Sequence, residues 1–147
     1  MGSKISVCIV CIANFCRSPV MEHILKQEHD DNKYAFFSVG LNPMHAAGMD
    51  ERSIKYLDSL GIKNVIHSPK KINKKILNYF DYFIAVDLYV LNQLNSAFPK
   101  YINKFKLATA QFNKISISDP YNLDDEGYID IMKSIKHVSD NIDLDRL

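Results

Sequence analysis

The feature that most constrains this chain is an apolar, β-branched run, Ile5-Ser6-Val7-Cys8-Ile9-Val10, that leads directly into Cys11-Ile12-Ala13-Asn14-Phe15-Cys16-Arg17 and then Ser18-Pro19. A short apolar run without polar alternation predicts a strand buried on both faces, the habit of a central strand in a parallel sheet. Ser18-Pro19-Val20-Met21-Glu22 sets a hydroxyl at the cap, proline at the first helical position and an acid in the first turn, which predicts a helix from there to about His29. The loop between them therefore sits at the carboxyl end of a strand, where sites in such sheets collect.

The rest of the chain repeats the alternation. Tyr34 to Val39 reads as a second strand followed by a Gly40-Leu41-Asn42-Pro43 loop, and Asp50 to Leu60 as a helix stopped by Gly61. Lys71 to Asn78 reads as a short helix, Tyr82 to Val86 as a buried strand, Asp87 to Ala97 as a helix ending near Pro99, and Lys104 to Ala108 as the last strand. A final helix places Tyr128, Ile131, Met132, Ile135 and Val138 on one face. The expected fold class is α/β: a single domain over 1–147, a three-layer α/β/α sandwich around a central four-stranded parallel sheet, with a phosphate-binding loop after the first strand.

With 147 residues, 47% of them apolar and 24% charged, the chain is long enough to bury a core without staples. A net charge of +1 gives no warrant for a nucleic-acid partner, and the apolar runs are strand-sized, so no membrane span is expected. The start lacks the features of a secretory signal, and three cysteines, an odd number, suit reduced thiols in the cytoplasm. Met1-Gly2-Ser3-Lys4-Ile5-Ser6 matches a myristoylation pattern, but the first strand begins within it, so a lipid anchor is not expected.

Cys11 at the strand's end and Arg17 six residues on, at a helix start, make a cradle for a tetrahedral dianion. Backbone N–H groups of a loop curling into a helix N-terminus converge on one phosphate, and the helix dipole adds partial positive charge. Arg17 adds a bidentate fork that lysine cannot reproduce. The same field favours a thiolate nucleophile at Cys11, and Ser18 is placed to hydrogen-bond it and help it leave. Cysteine and arginine at this spacing also occur by chance; the strand before and the Ser-Pro helix start after are what single out this pair.

Val10-Cys11-Ile12-Ala13-Asn14-Phe15-Cys16-Arg17-Ser18-Pro19 resembles the signature of the low-molecular-weight protein tyrosine phosphatases. Ser38-Val39-Gly40-Leu41, His67-Ser68, Val86-Asp87 and Ser118-Asp119-Pro120-Tyr121 resemble further segments of that family, in order along nearly the whole chain. The resemblance implies that Cys11 attacks phosphorus, that Arg17 clamps the phosphate with the Ile12, Ala13, Asn14, Phe15, Cys16 and Ser18 loop, and that Asp119 serves as general acid and then general base. It also implies an unusual backbone at Asn14 held by Ser18, Ser38 and His67, a substrate cleft with Leu41, Phe15 and Tyr121, and a reversible disulfide between Cys16 and Cys11. A phosphotyrosine protein is the implied substrate, inorganic phosphate or another oxyanion the implied ligand, and a monomer the implied state, with no metal or other cofactor.

The chain departs from the pattern at Ala13, where the family usually has glycine, at Pro69-Lys70 after the histidine segment, and at Asn122. The Leu41-Asn42-Pro43-Met44 run is closer to the bacterial subgroup than to animal forms. Cys8 and Cys11 form a C-x-x-C, but the residues between them belong to a strand and no second pair follows, so zinc is not expected. Lys70, Lys71, Lys74 and Lys75 read as a solvated face that could also guide an acidic partner. Two rivals remain. A thioredoxin-linked arsenate reductase needs a downstream cysteine pair, and none follows Cys16; an inactive phosphotyrosine-binding module is at odds with retention of Cys11, Arg17 and Asp119 together.

Overall fold

The first strand, β1 (Ile5–Cys11), lies in the middle of a parallel sheet because none of its residues from Val7 to Val10 exposes any surface. It pairs with β2 (Tyr34–Gly40) on one side and β3 (Tyr82–Ala85) on the other, and β4 (Phe105–Leu107) extends the sheet to the order β2-β1-β3-β4. The computed structural model describes residues 3–43 and 48–147. Met1, Gly2 and Met44, which entered the lipidation and bacterial-subgroup readings, lie outside them.

Five α-helices among the described residues complete the α/β fold: α1 (Ser18–Glu28), α2 (Glu51–Ser59), α3 (Lys74–Tyr79), α4 (Leu88–Ala97) and α5 (Asp125–Asn141). The β1-α1-β2 and β3-α4-β4 units step in opposite directions across the sheet, so crossovers of one hand set α1 and α4 on opposite faces. α1 packs on β1 and β2 and against α5, which also meets α2, while α4 covers β3 and β4. Val20, Met21, Ile24 and Leu25 of α1 meet Tyr128, Met132, Ile135 and Val138 of α5 in one core, each buried side chain of this size stabilising by about 1.5–3 kcal/mol. Ile131, expected on that face, lies at its edge, half-buried.

The departures from expectation have local causes. Lys71 does not start a helix: it forms a single parallel bridge with Gly40, and the Ile72 N–H donates to the Gly40 carbonyl at 3.0 Å, so α3 waits until Asn73 caps it by accepting from the Ile76 N–H. Pro99 opens a 3-10 turn over Pro99–Lys104, which shortens β4 from its amino end. The register Cys11↔Gly40 puts the end of β1 beside the end of β2, and this edge carries the site.

Candidate active site

β1 delivers Cys11 to the carboxyl edge of the sheet, buried, and the chain must then turn back into α1. The turn rests on the end of β2. A side chain on Gly40 would bring Cβ to 2.7 Å from the Ile12 carbonyl oxygen and 2.9 Å from the Asn14 nitrogen, closer than real Cβ contacts come, so glycine is required for the two backbones to approach. The Leu41 and Asn42 N–H groups donate to the Cys11 and Ile12 carbonyls at 3.0 and 2.8 Å.

Asn14 forms the crest of the loop at φ 52°, a left-handed conformation that asparagine tolerates better than most residues. Its side-chain nitrogen donates to Ser18 Oγ at 2.8 Å and Ser38 Oγ at 3.0 Å, its Oδ1 accepts from the Lys70 N–H at 2.9 Å, and its carbonyl accepts from His67 Nε2 at 2.7 Å. Since a carbonyl only accepts, the His67 proton sits on Nε2. Burial pushes the His67 pKa below its ordinary value although the Asn14 carbonyl opposes the shift, so the imidazole is neutral at pH 7. The Asn14 N–H points at Cys11 Sγ, 3.2 Å away, and Ser18 Oγ lies 2.9 Å from the same sulfur. Ala13 is not among the described residues with positive φ, so the loop takes alanine there without the left-handed strain that would demand glycine.

Arg17, not Ser18, occupies the cap position of α1, and no side chain bonds the first N–H groups of that helix. A helix start that is to receive an anion requires this, and it releases the Ser18 hydroxyl for Cys11. The Arg17 side chain is 2% exposed, and its Nη1 donates to Asp87 Oδ2 at 2.5 Å and to the Ile117 carbonyl at 2.9 Å. Asp87 meanwhile caps α4, its other oxygen accepting from the Val90 N–H at 2.8 Å, so the two arms of its carboxylate tie the arginine to β3's exit.

Glu22, which the sequence suggests as an acid of the first turn, is instead buried on the sheet side of α1. It accepts from Ser38 Oγ with one oxygen and from Lys26 Nζ at 2.6 Å with the other, so a hydrogen-bonded row runs from Lys26 through Glu22, Ser38, Asn14 and Ser18 to Cys11. The spacing Ser18, Glu22, Lys26 along one helix face is the signal that could have revealed it.

Across the cleft stands the segment after β4. Asp119 is exposed, and its Oδ1 accepts from the Tyr121 N–H at 3.1 Å, a local turn that orients the carboxylate. The Phe15 and Tyr121 rings meet edge to face, 6.3 Å between centroids at 63°, and frame an aromatic entrance. Cys11, Ile12, Ala13, Phe15, Cys16, Arg17, Asp119 and Tyr121 line the cleft. Leu41, half-buried, packs against the core cluster, as Ile12 and Phe15 also do. Cys8, Cys11 and Cys16 are free thiols; burial, reinforced by Asp50, Cys11 and Asp119 and opposed by a Tyr128 hydrogen bond, pushes Cys16 up to about 12, so it is a thiol at neutral pH. The arrangement places a sulfur nucleophile under an anion cradle, with an aromatic slot above it and a carboxyl at the rim.

No helix among the described residues is long and apolar enough to cross a membrane. Among curated proteins, the chain is 29% identical over 120 residues to the low molecular weight protein-tyrosine-phosphatase Ptp of Acinetobacter johnsonii, covering 81% of this chain and 82% of that protein. It is 25% identical to Wzb of Escherichia coli K12, covering 79% and 78%. Its fold matches the tyrosine phosphatase Wzb from Escherichia coli K30 crystallised with sulphate, at a TM-score of 0.81 and 23% identity over 92% of this chain and 93% of that one. It matches the YwlE arginine phosphatase from Geobacillus stearothermophilus at a TM-score of 0.83 and 18% identity over 92% and 88%. A family model described as low molecular weight phosphotyrosine protein phosphatase matches residues 6–143, and the chain belongs to that family.

Proposed function

We propose that the protein hydrolyses phosphotyrosine in proteins through a covalent phosphocysteine, with Cys11 as nucleophile, Arg17 as phosphate clamp and Asp119 as general acid and base. The observation that carries this reading is the geometry at Cys11: its sulfur lies 3.2 Å from the Asn14 nitrogen and 2.9 Å from Ser18 Oγ inside a loop closed by the buried Arg17. The sulfur attacks phosphorus in line while the phosphorus–oxygen bond to the tyrosyl group breaks and Asp119 gives that oxygen its proton. Asp119, now a carboxylate, takes a proton from water as the water oxygen attacks phosphorus, releasing inorganic phosphate and the thiolate, which Ser18 stabilises as it departs. Loop N–H groups, the start of α1 and Arg17 bear the phosphate charge through both steps.

The Phe15 and Tyr121 edge pair favours a flat aromatic leaving group over an aliphatic one. All of these groups come from one chain, which supports a single domain acting as a monomer, and three free thiols suit a reducing compartment such as the cytoplasm. Under oxidant, Cys16 closes a disulfide on Cys11 that protects it from further oxidation. The experiment is hydrolysis of p-nitrophenyl phosphate, a phosphotyrosine peptide and phosphoarginine in EDTA by the parent, Cys11→Ser and Asp119→Ala. Metal-independent turnover of the two aryl phosphates, abolished by the first change and strongly reduced by the second, supports the reading. Preference for phosphoarginine would replace the substrate assignment, and a folded, reduced parent inert to all three would leave an oxyanion-binding protein.

A further inference from the structure

The start of α2 touches both halves of the site. Towards the phosphate loop, the Asp50 N–H donates to the Phe15 carbonyl at 3.1 Å and the Ser53 hydroxyl donates to the Cys16 carbonyl at 2.9 Å. Towards the opposite rim, Arg52 donates from Nη2 to the Tyr121 carbonyl and from Nη1 to the Leu123 carbonyl, each at 3.0 Å. The guanidinium is itself held from two sides. Its Nε and Nη2 contact Asp50 Oδ1 at 3.1 Å and Oδ2 at 3.0 Å, and its central carbon stands 4.0 Å from the centre of the Tyr128 ring, whose hydroxyl is bonded to Ser53.

Tyr121 is the residue whose N–H orients the Asp119 carboxylate. Asp119 and the residues from Tyr121 to Glu126 are exposed and Pro120 alone between them is buried, so burial fixes this segment at a single point. Its internal support amounts to the Asp119 turn and a Leu123 N–H to Pro120 carbonyl bond at 3.0 Å. A planar fork with five donors can serve both oxygens of one carboxylate and two carbonyls at once, four acceptors for which an ammonium group has only three donors.

We propose that Arg52 is a positioning residue that holds the Asp119 segment over the phosphate loop, and thereby sets how well a poor, strongly basic aryl leaving group is protonated. The proposal rests on the reading of Asp119 as general acid. Loss of Arg52 leaves the nucleophile and the anion cradle intact but lets the carboxyl drift from the leaving oxygen, and a misplacement on the order of 1 Å is enough to cost rate. In the first step, which kcat/KM reports, the damage therefore falls on substrates that need the proton and spares those that do not, while hydrolysis of the shared phosphocysteine, for which Asp119 is the base, slows alike for all.

The test compares the intact parent chain, Arg52→Ala, Arg52→Lys and Asp119→Ala on a series of aryl phosphates running from p-nitrophenyl to phenyl phosphate, with inorganic phosphate as inhibitor and a thermal melt on each variant. Arg52→Ala is expected to lower kcat/KM for phenyl phosphate about 10-fold more than for p-nitrophenyl phosphate, with phosphate inhibition within about twofold of the parent. Should the alanine variant fail to fold, Arg52→Lys carries the test: it keeps a charge for Asp50 but cannot span both carbonyls, and it is expected to show the same selectivity at about threefold or more. An equal loss of kcat/KM on all substrates, or weakened phosphate inhibition, overturns the assignment, because a general structural defect has no reason to follow leaving-group basicity. If Asp119→Ala is selective and neither Arg52 variant is, Arg52 fails alone; if Asp119→Ala shows no selectivity, the general-acid reading itself has failed.

Discussion

At the floor of the cleft, Asn14 is fully buried and takes part in five hydrogen bonds, to Cys11, Ser18, Ser38, Lys70 and His67; at the rim, Asp119 is exposed and its carboxylate accepts from the Tyr121 N–H. The two halves of one site are thus fixed by opposite means. Phosphate charge is present from binding to release, so donors that stabilise it gain from being set rigidly during folding. Proton transfer to the leaving oxygen occurs only in the transition state, and the rim must first admit a ring. A floor locked by burial and a rim moored through one arginine answer these two demands separately.

The largest effect is expected where the floor's charge is changed in shape only. Arg17→Lys keeps a cation but loses the planar fork, and its ammonium cannot serve Asp87, the Ile117 carbonyl and two phosphate oxygens together. We expect kcat/KM for p-nitrophenyl phosphate to fall about 10³-fold, with a raised inhibition constant for phosphate. Steady-state kinetics on the folded variant decide it: retention of activity within about tenfold would mean that a cation without the planar fork is enough beside the loop amides.

Gly40→Ala sharpens the comparison because it strikes the floor without removing any polar group. The new methyl meets the Ile12 carbonyl at 2.7 Å and the Asn14 nitrogen at 2.9 Å, both backbone, so the loop itself must shift. Overpacking of this sort costs about 1–3 kcal/mol of stability, and the displaced cradle should cost about 10- to 100-fold in kcat/KM. Weakened phosphate inhibition with an unchanged ratio between phenyl and p-nitrophenyl phosphate is the expected signature, the converse of that expected for Arg52. A variant that shows the Arg52 signature would mean that floor and rim are mechanically one body.

The same division explains what could be read from the sequence. The floor is nearly contiguous: residues 11–19 carry the nucleophile, the crest, the arginine and the helix start, and the apolar run before them fixes which edge of the sheet they occupy. Strands and helices followed from periodicity, and their ends moved where a distant partner intervened, as at Lys71, which bridges Gly40. Glu22 was misplaced because an acid after Ser-Pro is also the ordinary pattern of a helix start. Arg52 was missed for a different reason. Its partners Tyr121 and Leu123 lie 69 and 71 residues away and offer only backbone carbonyls, which leave no trace in side-chain identity.

The smallest effect tests whether the rim's mooring is electrostatic. Burial works against the charge on Asp50, but its hydrogen bonds to the Arg52 side chain and N–H, with the nearby positive charge, prevail and hold its pKa below the ordinary carboxylate value. A carboxylate depressed in the folded state adds stability in full above the unfolded pKa, about 3.9, and that contribution fades as pH falls through the folded value. Arg52 is partly exposed, so solvent screening keeps the contribution under about 1 kcal/mol. Urea unfolding of the parent and Arg52→Ala near pH 6 and near pH 3 should therefore show a stability gap that narrows at the lower pH. A gap that does not narrow would assign the mooring to the Tyr121 and Leu123 carbonyls and to the stack on Tyr128, interactions that do not titrate there, and the rim would then hold its acid equally well across the enzyme's working range.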